Sequence, residues 1–208
     1  MTSSTSLRML CLHGYHGNAR MLRSQMAPLA AAIPSNVELV YVDAPSLSTG
    51  DFGWWHNGFR GWERTRDWVV DLLRSGPAID GIFGFSQGAA LTGLLAGVRE
   101  NDPTIARVRF AIMVGGFTSD MPQHAPLLAH KLTMPSVHVA GRADTIVSLH
   151  DSLRLAQRFT EPLILQHSGG HVIPGDRAVT TPIAEFLASF SGDASAAPAL
   201  DTPSGSSR

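Results

Sequence analysis

The sequence predicts an α/β protein in which a mainly parallel central sheet carries helices on both faces. Short apolar runs alternate with helical patterns along almost all of the 208 residues, which is typical of parallel strands joined by helices. Most of these runs are apolar throughout, as expected for strands that helices cover on both sides. No internal repeat interrupts the alternation, so one layered domain is predicted.

Six strands and five helices are predicted in order along the chain. The first strand contains the apolar run at Met9, the first helix has Asn18 as a candidate N-cap, and the fourth helix carries Asp151 in its first turn. The strand candidates are 7–13, 37–42, 79–85, 110–114, 137–140 and 163–166. The helix candidates are approximately 19–32, 63–74, 87–99, 150–159 and 181–190.

The domain is expected to span residues 7–190, between two segments of different composition. Residues 1–6 are polar and are predicted to be a flexible N-terminus. Residues 191–208 are rich in Ser, Ala, Gly and Pro, which leaves little to bury, and a disordered tail is predicted there.

Charge and composition exclude several classes of partner. The formal net charge is -1, from 16 basic and 17 acidic residues, so no nucleic-acid partner is expected. No apolar stretch is long enough to span a bilayer, and no targeting segment is visible. The single cysteine, Cys11, lies in an apolar run and is assigned to the core. These features together predict a cytoplasmic protein with no membrane partner.

The pentapeptide from Gly84 to Gly88 has the pattern of a nucleophile elbow, with Ser86 at its centre. It follows an apolar run and precedes a helical pattern, and a strand, a sharp turn with serine and a helix define that motif. Glycine is required on both sides because strand and helix approach closely. The spacing therefore predicts that the Ser86 hydroxyl is presented in a cleft as a nucleophile.

A serine nucleophile needs a base and a group that orients the base, in the order Ser, Asp or Glu, His for this motif. Asp144 follows the strand at 137–140, and His171 follows Gly169 and Gly170 after the next strand. The predicted triad is therefore Ser86, Asp144 and His171.

Other residues compete for the same roles. Asp120 follows the preceding strand and is an alternative acid, whereas Asp151 has the position of a first-turn helix acid and Asp176 comes after the histidine. His167 is the nearest competitor of His171, but it stands at a strand end and is assigned a structural role.

The tetrahedral oxyanion of acyl transfer needs preorganised N–H donors. One predicted donor is the backbone N–H of Gln87, directly after the nucleophile. The other is the N–H of Tyr15, in the glycine-bearing loop after the first strand, with His16 N–H as the alternative. His13 is assigned to packing beneath this loop.

Two long connections supply candidate substrate contacts. An aromatic segment contains Trp54 and Trp55 together with Phe52 and Phe59, and a second connection contains Phe117. Trp54, Trp55 and Phe117 are predicted to bind substrate, and packing of the aromatic segment against the sheet edge is the alternative interpretation. No Cys-x-x-Cys, His-Glu-x-x-His or phosphate-loop spacing occurs, so no metal or cofactor is predicted.

Four blocks of the sequence together resemble the family of small serine hydrolases of the α/β-hydrolase fold that includes the yeast serine hydrolases and the ovarian-cancer-associated gene 2 protein. These blocks are Leu10–Tyr15, Asp80–Ala89, Pro135–Gly141 with Asp144, and Gly169–His171 with Pro174. The resemblance implies an α/β-hydrolase fold with little or no lid. It also implies hydrolysis of a small-molecule carboxylic ester or thioester through an acyl-serine intermediate.

Two alternative functions are kept. By resemblance, some members release polyketide chains from carrier proteins, so a thioesterase acting on a chain held by an acyl carrier protein in secondary metabolism is one alternative. The other is a non-catalytic ligand-binding module on a hydrolase scaffold, against which the complete triad pattern argues.

Overall fold

The computed structural model describes residues 6–45, 53–56 and 60–191. Most of the predicted flexible N-terminus, the tail from residue 192 onward, and both Phe52 and Phe59 of the aromatic segment lie outside these residues. Within them, no helix is sufficiently long and apolar to cross a membrane.

Six parallel strands form one sheet in the spatial order β2-β1-β3-β4-β5-β6. The strands are β1 (Leu7–Leu12), β2 (Val37–Val42), β3 (Gly81–Phe85), β4 (Phe110–Val114), β5 (Ser136–Gly141) and β6 (Leu163–His167). β3 and β4 are buried along their whole length, which explains their uninterrupted apolar sequences. The predicted mainly parallel sheet is confirmed.

In the described part of the chain, five α-helices cover the sheet in two layers. They are α1 (Ala19–Ala30), α2 (Trp62–Ser75), α3 (Gln87–Asn101), α4 (Leu149–Ala156) and α5 (Arg177–Ser189). Apolar side chains of α2, α3 and α4 pack on one face, and those of α1 and α5 pack on the other. In α1, the buried residues Leu22, Met26 and Leu29 recur at helical spacing, and Asn18 Oδ1 accepts a hydrogen bond from Met21 N at 2.9 Å.

The strand register brings the loops of the predicted site together. Leu12 pairs with Gly84, Phe85 with Val114, Val114 with Val139, and Gly141 with His167. The carboxyl ends of the strands therefore lie at one edge of the sheet. The chain also reverses its direction of travel across the sheet between β1 and β3, and ligands of open α/β sheets bind at such a switch point.

The edge strand and the last helix differ from the expected pattern. β6 has Leu163 and Ile164 exposed, because it lies at the edge of the sheet and, among the described residues, no strand pairs with its outer side. α5 begins at Arg177, four residues before its predicted start, with Pro182 inside it. The N–H groups of Val179 and Thr180 bond to the carbonyl of Asp176, so the helix is already established when the proline is reached.

Candidate active site

Ser86 occupies the sharp turn between β3 and α3 with φ 55° and ψ -117°. A positive φ is unfavourable for a residue with a side chain, and the surrounding structure must maintain it. The turn is tightly packed, since a Cβ on Gly84 would lie 2.3 Å from the Gly88 carbonyl oxygen. Ser86 N donates to the carbonyl of Val114 at 2.9 Å, which fixes the turn to the neighbouring strand.

His171 and Asp144 form a close pair, with 2.6 Å between His171 Nδ1 and Asp144 Oδ2. The other carboxylate oxygen accepts hydrogen bonds from the N–H groups of Ile146 and Val147, each at 2.9 Å. Burial alone would raise the pKa of Asp144, but the hydrogen bonds from His171 and from these two N–H groups leave that pKa below its usual value. The carboxylate is therefore charged and fixed in direction.

The His171 ring packs on the residue that precedes the nucleophile. Its ring centroid lies 4.8 Å from that of Phe85, the residue before Ser86. Beneath the ring, Gly115 adopts φ +58°, and a Cβ there would lie 3.0 Å from His171 Cε1. Within the described ranges Ser86 Oγ makes no hydrogen bond to His171, and such contacts often close only when substrate is bound.

The competing acids and the competing histidine have contacts other than the His171–Asp144 pair. Asp120 is 3.5 Å from Arg154 with an exposed side chain, and Asp151 accepts a hydrogen bond from Ser148 Oγ at 2.7 Å at the start of α4. Asp176 precedes α5. His167 is buried, and its Nδ1 accepts a hydrogen bond from Gly169 N at 3.2 Å. Asp144, and none of these three acids, is the carboxylate that the structure brings to His171.

The loop after β1 lies directly against Ser86. A Cβ on Gly14 would be 3.3 Å from Ser86 Cβ, and Tyr15 follows it. Gln87 is the first residue of α3, where backbone N–H groups have no acceptor within the helix. Gln87 is therefore adjacent to the nucleophile in sequence, and the loop that carries Tyr15 contacts it in space.

The buried His13 supports this loop. Ala44 N donates to His13 Nε2 at 3.1 Å, so the ring proton resides on Nδ1, which donates to the Gly14 carbonyl at 2.7 Å. Burial lowers the pKa of His13, which favours this neutral form. His13 thus holds the loop after β1 from below.

A cavity of about 550 Å³ opens beside Ser86. Aromatic and aliphatic side chains line much of it, and charged residues that include two from α4 lie at its margin. The lining residues are Tyr15, Trp55, His56, Ser86, Gln87, Phe117, Thr118, Asp120, Ile146, Val147, Asp151 and Arg154. In the part of the chain that the structure describes, no three His, Cys, Asp or Glu residues are grouped so that they could hold a metal ion.

Trp55 and Phe117 line this cavity, but Trp54 does not. The Trp54 side chain is fully buried. Its Nε1 donates to the His13 carbonyl at 2.7 Å, and the two rings lie 4.8 Å apart. The predicted substrate contact at Trp54 is therefore corrected to a packing role beneath the loop after β1.

Residues 1–183 match the model of the family described as serine hydrolase (FSH1). The chain belongs to this family. It is 31% identical to Esterase OVCA2 of Xenopus tropicalis, over 88% of this chain and 93% of that protein. It is 30% identical to Esterase OVCA2 of Homo sapiens, over 91% of this chain and 99% of that protein. This member of the serine hydrolase (FSH1) family is a hydrolase of the esterase type.

Among solved structures, this serine hydrolase (FSH1) chain is similar in fold to the acyl-protein thioesterase 2 of Zea mays. The TM-score is 0.64 at 20% identity, and the match covers 92% of this chain and 96% of the other. The fold is thus the predicted α/β-hydrolase fold.

Sequence reasoning missed several residues of the cavity wall in this serine hydrolase (FSH1) chain. Ile146 and Val147 follow Asp144 so closely that the turn that fixes the carboxylate also carries their side chains to the cavity. Asp151 and Arg154 lie one helical turn apart on α4. Residues three positions apart in a helix lie on the same face, so this spacing could have indicated that both side chains face the cavity.

Proposed function

We propose that this chain hydrolyses carboxylic esters through an acyl-serine intermediate, with Ser86 as the nucleophile. The observation that carries the proposal is the strained Ser86 turn on the cavity wall, with the His171–Asp144 pair packed on the residue before it. A strained turn at the carboxyl end of a strand, with an oriented histidine above it, is suited to acyl transfer.

In the proposed reaction, Ser86 Oγ attacks the ester carbonyl while His171 Nε2 takes the hydroxyl proton. Asp144 accepts the hydrogen bond from His171 Nδ1–H, which sets the tautomer and stabilises the imidazolium. The tetrahedral intermediate then collapses, the C–O bond to the alcohol breaks, and His171 returns the proton to the leaving oxygen. Water activated by His171 attacks the acyl-serine in the second half-reaction, releasing the acid and restoring Ser86.

The oxyanion is assigned to the backbone N–H groups of Gln87 and Tyr15. Gln87 stands at the N-terminal end of α3, where the helix dipole favours negative charge. A single preorganised donor in such a site stabilises the transition state by about 2.7–4 kcal/mol.

The apolar part of the cavity favours an apolar acyl group. Trp55, Phe117, Ile146 and Val147 line the cavity with Ser86, and burial of an acyl chain against such side chains is favourable in proportion to the apolar area covered. We assign the acyl chain to this apolar part of the cavity because Ser86 lines the same cavity.

Thioesters are the second candidate substrate class, because acyl-serine chemistry acts on both linkages. The solved structure from Zea mays is named an acyl-protein thioesterase and has the same fold. An acyl chain on a carrier protein is included in this candidate. Matched butanoyl esters of an alcohol and of the corresponding thiol distinguish the two classes by their kcat/KM values.

The decisive experiment compares the wild-type protein with Ser86→Ala and with Ser189→Ala, a control at the end of α5. We expect a fluorophosphonate probe to add once to the wild type and to the control, and not to Ser86→Ala. Turnover of p-nitrophenyl butanoate should fall by at least about 10³-fold in Ser86→Ala alone. Undiminished labelling and turnover of Ser86→Ala, with circular dichroism unchanged, would remove Ser86 from the mechanism.

A further inference from the structure

The side chain of Gln87 is buried and makes two hydrogen bonds to a segment distant in sequence. Trp54 N donates to Gln87 Oε1 at 2.9 Å, and Gln87 Nε2 donates to the Trp55 carbonyl at 2.8 Å. One primary amide thus contacts the N–H of one residue and the C=O of the next. Since the amide has both a donor and an acceptor, these two bonds also fix which end is oxygen and which is nitrogen.

Gln87 therefore has two separate connections to the site. Its backbone N–H is the proposed oxyanion donor, and its side chain holds the backbone of Trp55, whose side chain lines the cavity. Gln87 is 6% exposed and both amide hydrogen bonds are buried, and such hydrogen bonds are costly to leave unmade. Gln87 consequently links the nucleophile, which it follows in the chain, to the part of the cavity lined by Trp55.

A further hydrogen bond fixes the same segment from α2. Thr65 Oγ1 donates to the Trp54 carbonyl at 2.5 Å, and Thr65 is buried. Because Thr65 is not among the cavity residues, it offers a way to disturb the segment without touching substrate or nucleophile.

We infer that Gln87 is a positioning residue for acyl-chain recognition. Its side chain fixes the backbone of Trp55, and so fixes the position of the Trp55 side chain relative to Ser86. The inference rests on the proposed function. It assigns to the side chain a role separate from that of the backbone N–H, which persists whatever side chain is present. Substrates whose acyl chain extends along Trp55 should depend on the two amide hydrogen bonds more strongly than substrates with a short acyl group.

The experiment uses p-nitrophenyl acetate and p-nitrophenyl octanoate, which share a leaving group, and compares their kcat/KM values as a ratio. In Gln87→Met, which has similar length but neither donor nor acceptor, we expect the octanoate-to-acetate ratio to fall at least tenfold, mainly through KM for octanoate. Thr65→Val should lower the ratio in the same direction by about threefold. The matched control is Thr180→Val, a buried threonine on α5 at the opposite face of the sheet, which should leave the ratio unchanged.

Gln87→Glu gives a readout that general destabilisation does not produce. A charged carboxylate has no proton for the Trp55 carbonyl, whereas the protonated acid has one donor and one acceptor in nearly the same positions. The ratio in this variant should therefore recover as the pH is lowered. A pH effect on the chemistry that the two esters share lowers both kcat/KM values in the same proportion and cancels in the ratio.

Each outcome separates this inference from the proposed function. If the wild type shows no Ser86-dependent hydrolysis, the proposed function fails first. Suppose that hydrolysis depends on Ser86, but that Gln87→Met and Thr65→Val leave the octanoate-to-acetate ratio of kcat/KM at its wild-type value. Gln87 then has no positioning role, even if the kcat/KM values of both esters fall in equal proportion. A Gln87→Glu ratio that does not change with pH would also contradict it.

Discussion

Gly115 leaves the space that the His171 ring occupies. It adopts φ +58°, and a Cβ would lie 3.0 Å from His171 Cε1 and 3.7 Å from Asp144 Oδ2. We predict that Gly115→Ala lowers kcat by at least about tenfold, because the methyl group displaces the imidazole and a positive φ costs about 1–2 kcal/mol with a side chain. Steady-state kinetics with a p-nitrophenyl ester measure the effect.

Gly170→Ala is the matched control for this prediction. Gly170 precedes His171 directly, but its Cβ would meet Ala143 O at an ordinary 3.5 Å. The kcat of Gly170→Ala should stay within about threefold of the wild-type value. Equal losses in the two variants would show that Gly115 has no special role beneath His171.

Local patterns in the sequence reveal some residues of the site and not others. Ser86 is recognisable because glycines flank it at the end of a strand, and His171 because two glycines precede it in the loop after a strand. Trp54 and Trp55 have no helical or strand periodicity that would fix which of them faces the cavity. The bonds of the Gln87 side chain join residues 32 and 33 positions apart, and a one-dimensional pattern does not encode such contacts.

At the scale of elements, the junction of β1 with α3 is the most constrained contact around the nucleophile. A Cβ on Gly88 would lie 2.2 Å from the Leu12 carbonyl oxygen and 2.6 Å from that of His13. We predict that Gly88→Ala lowers the free energy of unfolding by about 3 kcal/mol, since backbone must move to admit the methyl group. Urea unfolding measured by circular dichroism determines the change.

The control lies on the same helix. In Gly93→Ala the added Cβ would be 2.8 Å from Leu155 Cδ1, the end of a flexible side chain. The preference of alanine for helices, worth about 1 kcal/mol, should offset that contact. If the free energy of unfolding of Gly88→Ala equalled that of Gly93→Ala, the prediction that β1 and α3 leave no room for a side chain at Gly88 would be wrong.

Strands and helices could be told apart because short runs that are apolar throughout alternate with longer helical patterns, whereas the ends of elements depend on competing local hydrogen bonds. β2 and β4 have the predicted bounds. The start of α5 does not, because a proline is most often found in the first helical turn and here Pro182 is the sixth residue. The helix begins earlier, at the carbonyl of Asp176; aspartate is a residue type favoured at an N-cap, but this one makes no side-chain capping hydrogen bond.

For the whole molecule, buried histidines make stability depend on pH. Burial of His138 lowers its pKa to about 3, and burial also lowers the pKa of His13 and of His124. In the unfolded chain these three histidines take up protons at the ordinary histidine pKa of about 6.5, whereas in the folded chain they stay neutral to lower pH. The free energy of unfolding should therefore fall as the pH decreases from about 6.5 toward 3.

His138→Leu isolates the share of one residue. Each pH unit within this window corresponds to at most about 1.4 kcal/mol per histidine, so the decline in the variant should be shallower by up to that amount. Asp144 acts in a lower range, because its depressed pKa gives stability that is lost only below about 3.9. Urea titrations at pH 7, 6 and 5 measure the slopes, and parallel slopes for wild type and variant would contradict the prediction.

The burial of Cys11 has a practical consequence for studying the cavity. It is the one cysteine of the sequence, it is fully buried, and burial raises the pKa of its thiol, so it is shielded from thiol-reactive dyes. Ile146 lies on the cavity wall with 73% of its surface exposed, and its bond to Asp144 uses backbone N–H alone. A fluorophore attached through Ile146→Cys would thus label a single position, and its emission would follow acyl groups entering and leaving the cavity during turnover.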